Sequence, residues 1–232
     1  MRQIILDTET TGLNPKSGDR IIEIGCVEMV NRRLTGNNLH YYINPERDSD
    51  AGALAVHGLT TEFLSDKPKF AEIVDSLCEF VRDAEIIIHN APFDVGFLDA
   101  EFERIGKSNF SAHVREVTDT LSRAKELFPG KRNSLDALCE RYQVSNAHRT
   151  LHGALLDAEL LAEVYLAMTR GQDSLTMDLQ VGGDGYEGDG TGIPIADILV
   201  LAPTAEELAE HEVVLQALEK EAKGACVWRQ LG

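Results

Sequence analysis

Four carboxylates in this chain stand where carboxylates are costly. Asp7 and Glu9 close an apolar run, Ile4–Asp7. A strand's period of two turns both onto one face, about 6.6 Å apart. Like charges so placed repel unless something cationic lies between them. Asp94 falls on a helical pattern and shares a stripe with Phe97, Leu98, Phe102 and Ile105. Asp157 lines up in the same way with Leu160, Leu161, Val164 and Met168. A carboxylate on a core-facing stripe near a helix start is unfavourable unless it is paired or binds metal. Helix capping explains one such aspartate; it does not easily explain two beside the strand pair. Donors that are all oxygen suit Mg²⁺ or Mn²⁺ rather than zinc. Two such ions, ~3.5–4 Å apart, would clamp the attacking and leaving oxygens of an in-line displacement at phosphorus.

That chemistry needs a base. His152 precedes Asp157 by five positions, which on a helix is about 140° away on another face. To reach the same site it must come from the loop or the first turn, where Gly153 makes the backbone adaptable. An imidazole of ordinary pKa, ~6.5, suits proton abstraction from water. Taken alone, His152 reads more simply as a surface histidine, and His148 is near enough to compete for the role. His89 ends a buried strand and reads as structural. His57, in the loop Val56–Leu59, is placed to meet substrate.

The elements that must position these groups follow from periodicity. Ile4–Asp7, Arg20–Val30 and Leu39–Ile43 read as three strands of an antiparallel meander. Helical patterns at Phe70–Val81 and Pro92–Ile105 flank a buried strand, Glu85–His89. A fifth strand, Val114–Asp119, precedes helices at Thr120–Leu127, Ser134–Tyr142 and Ala154–Met168. The expectation is an α/β domain over residues 1–172, with a mixed five-stranded sheet flanked by helices. Residues 173–192 are predicted to be a flexible linker. Its stretch Gly182–Gly192 carries six glycines and no large aliphatic residue. Residues 193–232 form a C-terminal segment with a helix capped by Thr204 and Glu207 and running to about Lys223.

Composition narrows the partners. With 39 acids against 22 Lys and Arg, net charge is −17. A protein that wraps duplex by releasing counterions is therefore excluded. Nucleic acid, if bound, must be held locally over a few nucleotides. No apolar stretch approaches the ~20 residues of a spanning helix, and no signal peptide is visible. Cys26, Cys78, Cys139 and Cys226 lack any Cys-x-x-Cys spacing and read as reduced thiols of a cytoplasmic protein.

Three segments, Asp7-Thr8-Glu9-Thr10-Thr11-Gly12-Leu13, His89-Asn90-Ala91-Pro92-Phe93-Asp94 and His152-Gly153-Ala154-Leu155-Leu156-Asp157-Ala158, resemble the three motifs of the DEDDh exonucleases. Val56-His57-Gly58-Leu59 is also similar, and the likeness spans residues 1 to about 172. Within that family the chain resembles the proofreading subunits of bacterial DNA polymerase III. The resemblance implies a ribonuclease H-like fold and 3′→5′ hydrolysis of DNA ends. Two divalent ions would be held by Asp7, Glu9, Asp94 and Asp157, with His152 as base. It implies that Leu13 wedges against the terminal bases. Thr8, Thr10, His57, Asn90 and Phe93 would line the pocket of the 3′-terminal nucleotide. It further implies a sliding-clamp motif at Gln172, Leu175 and Met177, and a C-terminal anchor to the catalytic (alpha) subunit at Trp228. A small accessory subunit stays open. Two other readings remain, an RNA-trimming exonuclease of the same fold and a non-catalytic scaffold joining polymerase to clamp.

Overall fold

The first strand is longer than its apolar run suggests. In the computed structural model β1 spans Arg2–Thr10, so Glu9 lies within the strand rather than past its end. The structure describes residues 1–146, 151–170 and 203–222. β2 (Ile21–Val30) and β3 (Arg33–Tyr42) complete the meander. β3 begins well before the expected Leu39, because Arg33–Asn38 is a polar, exposed edge with no apolar alternation to reveal it. A two-residue turn joins β2 to β3, with Asn31 and Arg32 both at positive φ (49° and 63°). Such turns match strand twist. The Arg32 guanidinium donates to Thr169 Oγ1 and Leu166 O, which ties the hairpin down.

β4 (Glu85–Ile88) and β5 (Glu116–Asp119) run parallel to β1, giving the order β3-β2-β1-β4-β5. The two catalytic candidates on β1 thus occupy the central strand. Helices cover both faces. α3 (Phe70–Val81) and α4 (Ala91–Arg104) pack with Ile4, Leu6, Ile86 and Ile88. α6 (Leu135–Tyr142) and α7 (Ala154–Met168) pack with Ile5, Val27 and Ile87. α5 (Thr120–Leu127) follows β5 directly, capped by Asp119. Neighbouring residues of β1 therefore point into different cores, and Asp7 and Glu9 share the α7 side with Ile5.

Two helices are not apparent in the sequence, α1 (Ala51–His57) and α2 (Thr61–Leu64). The Ala-Gly-Ala-Leu-Ala-Val run of α1 has no polar face from which to read a helical period. His57 consequently ends a helix instead of lying in a loop, and Gly58 closes that helix at φ 72°.

The chain divides into two units between residues 181 and 182. In the second, α8 (Ala205–Ala222) starts with the expected reciprocal cap. Glu207 N donates to Thr204 Oγ1, while Thr204 N donates to Glu207 Oε2. Among the described residues no helix is long and apolar enough to cross a membrane.

Candidate active site

Position on the sheet brings the acids together. Asp7 pairs across strands with Gly25, and Glu9 with Glu23. Gly25 carries no side chain where α7 begins. A Cβ there would lie 2.3 Å from the backbone of Ala154 and Leu155. The helix start thus rests on the sheet itself, which delivers Asp157 to the same end of β1 as Asp7 and Glu9. On the opposite face α4 delivers Asp94, whose Oδ1 accepts from Thr8 N (3.1 Å) and Thr8 Oγ1 (2.7 Å). The residue between the two β1 acids therefore holds the third. α4 is fixed against β2 by a two-point ion pair, Arg20 to Glu101, at 2.6 and 2.8 Å.

A cavity of about 490 Å³ opens at this end of the sheet. It is lined by Asp7, Thr8, Glu9, Asn90, Phe93, Asp94, His152 and Asp157, together with His89, Leu121 and the Ser134–Asp136 turn. Glu9, His152 and Asp157 each offer a ligand atom, and these atoms lie within 4.8 Å of one another. His152 comes from the segment just before α7, and its Nδ1 lies 3.2 Å from Asp157 Oδ2. With Nδ1–H directed at the carboxylate, Nε2 is left as the proton acceptor. His152 is also anchored from elsewhere, since its backbone N donates to Val56 O at the end of α1 (3.1 Å).

The donor set fits hard divalent cations. Four carboxylates face one cavity, and Asp94 and Asp157 are each only 3% exposed. Burial pushes Asp94 up to about 7, against the hydrogen bonds from Thr8 that hold it down, with a smaller rise from Asp119. A buried carboxyl that retains its proton near neutrality lacks a compensating positive charge, and a divalent ion supplies one. Glu9, His152 and Asp157 are so placed that together they could hold a metal ion.

Three of the expected substrate residues stand apart from the cavity wall. Thr10 is buried and donates to Gly12 O. Leu13 projects into solvent, 82% exposed, from the loop after β1. His57 is buried. Its Nδ1 accepts from Leu59 N (2.9 Å), which places the ring proton on Nε2, and burial lowers its pKa despite the nearby Glu23 charge. Asn90 takes a left-handed conformation (φ 72°) at the start of α4, where Asp119 Oδ1 accepts from its backbone N. His148, Gln172, Leu175, Met177 and Trp228 lie outside the described residues.

One acid escapes a reading of the sequence. Glu23, 3% exposed, sits opposite Glu9 and holds His40 Nε2 at 2.7 Å. In Ile21-Ile22-Glu23-Ile24 it looks like an outward position of a half-buried strand, whereas both faces of β2 are covered here. A single acid in a strand flanked by apolar residues on both sides was the available signal.

The exonuclease family profile RNase_T matches residues 4–165. The DNA polymerase III subunit epsilon of Escherichia coli K12 is 51% identical over 237 residues, 98% of this chain and 97% of that one. The protein of the same name from Haemophilus influenzae is 46% identical over 241 residues, with 98% and 94% covered. Among solved structures, exonuclease X in complex with 5′ overhanging duplex DNA superposes with a TM-score of 0.58 at 23% identity, covering 74% of this chain and 93% of that one. A zinc-bound complex of E. coli exonuclease I with single-stranded DNA gives 0.63 at 21%, covering 78% and 43%. At such identities these two structures speak to the fold alone, which they share.

Proposed function

This chain belongs to the RNase_T exonuclease family and, within it, to the DNA polymerase III epsilon subunits, and from that footing we propose how its residues carry out the reaction. The protein is a 3′→5′ exonuclease that proofreads DNA ends. The single observation that carries the assignment of roles is the convergence of Asp7, Glu9, Asp94, Asp157 and His152 on one cavity.

In this reading the four acids hold two ions, Mg²⁺ or Mn²⁺. When bound, the ions neutralise the phosphodiester and stabilise the charge that builds on the attacking and leaving oxygens. His152 Nε2 takes the proton of the attacking water, while Asp157 fixes the ring's tautomer and direction. The bond to the 3′ oxygen of the penultimate nucleotide breaks, and a nucleoside 5′-monophosphate leaves. Thr8 fixes Asp94 from both its backbone N–H and its hydroxyl. Phe93, its ring tilted at 49° to that of Phe97 with centroids 5.0 Å apart, and Asn90 form the wall for the terminal nucleotide. Leu13, exposed on the loop after β1, wedges against the terminal bases.

The relatives' full-length likeness includes the tail, which favours the proofreading reading over an RNA trimmer. Binding of the catalytic subunit through residues 193–232 and Trp228, and of a sliding clamp through Gln172, Leu175 and Met177, belongs to the same proposal. Digestion of a primer–template with a mismatched 3′ end, beside an RNA of the same sequence, tests the whole. The mismatched DNA end should be degraded faster than the matched end and the RNA, with nothing degraded in excess chelator. Equal rates on all three, or activity in chelator, would overturn it.

A further inference from the structure

A chain of net charge −17 must bring a polyanion to a cavity lined with acids. Several of its cations are already engaged. Arg20, Arg47, Arg104, Lys107 and Arg115 are each committed to a carboxylate. Lys131 and Arg132 are different. Both are exposed, neither forms an ion pair with a described residue, and they are adjacent on the loop between α5 and α6.

That loop is rigidly built. Arg141 reaches back from the last turn of α6, donating from Nη1 to Asn133 Oδ1 (3.0 Å) and from Nη2 to Arg132 O (2.8 Å). Its guanidinium lies 4.2 Å from the centre of the Phe128 ring. Lys131 N and Asn133 Nδ2 both donate to Phe128 O, and Gly130 supplies the positive φ (72°) that the turn needs. An arginine is thus spent on fixing the backbone from which two further cations project. The next residues, Ser134, Leu135 and Asp136, line the active-site cavity. A separate cleft of about 440 Å³ is lined by Lys131, Arg132, Ala137, Glu140 and Arg141, three cations against one carboxylate.

We propose that Lys131 and Arg132 form a phosphate-binding step at the rim of the active site, gripping the backbone of the strand being degraded upstream of its scissile bond. This rests on the nuclease reading above. The ligand is a phosphodiester of single-stranded nucleic acid, and the recognition is by charge with no base contact. It explains how so acidic a protein engages its substrate: the two cations project from the loop that leads directly into Ser134–Asp136 of the cavity wall.

The test uses the full-length protein with Mg²⁺ and the double variant Lys131→Gln/Arg132→Gln. Two substrates are compared, a single-stranded oligodeoxynucleotide and the p-nitrophenyl ester of thymidine 5′-monophosphate, which has no upstream backbone. Each phosphate contact on a single strand contributes about 0.7 to the log–log salt slope. Between 50 and 200 mM salt the wild-type KM for the oligonucleotide should therefore rise about 7-fold more than that of the variant. Oligonucleotide kcat and hydrolysis of the ester should be unchanged, and Lys131→Arg/Arg132→Lys should restore the slope. Equal salt slopes would overturn the proposal. So would a slope change confined to duplex ends, which would assign the contact to the opposite strand. Loss of ester hydrolysis in the double variant alone would place the pair in the catalytic cavity instead. Ester hydrolysis by the wild type that survives chelation would count against the metal-dependent nuclease reading, a separate failure.

Discussion

Replacing Asp94 by Asn in the metal-free protein should raise its stability, and by an amount that depends on pH. Asp94 is buried, and burial pushes its carboxyl up to about 7 from an ordinary 3.8. A raised folded-state value means the proton is retained on folding. The favourable contribution is whole below the ordinary value and is lost as pH rises through about 7. At ~1.4 kcal/mol per pH unit of displacement, the fully ionised site is destabilised by about 4 kcal/mol. Asparagine keeps an Oδ1 to accept from Thr8 N and Oγ1 and carries no charge to bury. The other acids are common to both proteins and cancel. In excess chelator, urea unfolding followed by circular dichroism should show the Asn variant gaining about 2–3 kcal/mol more over wild type at pH 8 than at pH 5. Saturating Mg²⁺ should reverse the order, because the ion stabilises only a site that can bind it. A gain that is the same at both pH values would refute the argument that burial without a counter-charge governs this residue.

Other outcomes follow from the same geometry. His152→Ala should lower kcat by about 10²–10⁴-fold with little change in metal affinity, while His148→Ala stays near wild type; single-turnover hydrolysis with Mn²⁺ titration reads both. Gly25→Ala forces a Cβ to 2.3 Å from Ala154 and must displace the start of α7. It should cost about 1–3 kcal/mol of stability and about 10²-fold in rate, and a melt and a rate within error of wild type would remove this account of α7. Deleting residues 193–232 should leave single-strand hydrolysis and the melting temperature of the nuclease domain nearly unchanged while abolishing co-purification with the polymerase catalytic subunit.

Much of the architecture was legible because the core elements obey their periods. The stripes of α4 and α7 are plain in the spacing of Phe97, Leu98 and Phe102, and of Leu160, Leu161 and Val164, and their discordant aspartates point to the candidate site. What stayed hidden depends on contacts distant in sequence. Glu101 is 1% exposed because Arg20 meets it from another element, and no local pattern announces that pair. β3 begins six residues before its apolar part, on an exposed edge where side-chain burial leaves no trace. α1 is apolar on all sides, so periodicity is silent. Glu23 looks like surface until α7 is seated on β2.

The bond from His152 N to Val56 O means that the proposed base is anchored in a different helix from its partner Asp157. Gly58, next to that anchor, lies against the Leu151 side chain, which a Cβ would meet at 2.6 Å. α1 and the segment carrying His152 are thus held together by a hydrogen bond and a close packing contact. Anything that settles α1 therefore favours the ordered segment of His152, and by reciprocity an ordered segment favours the settled helix. If His152 is the base proposed above, loosening α1 is expected to show in turnover rather than in affinity.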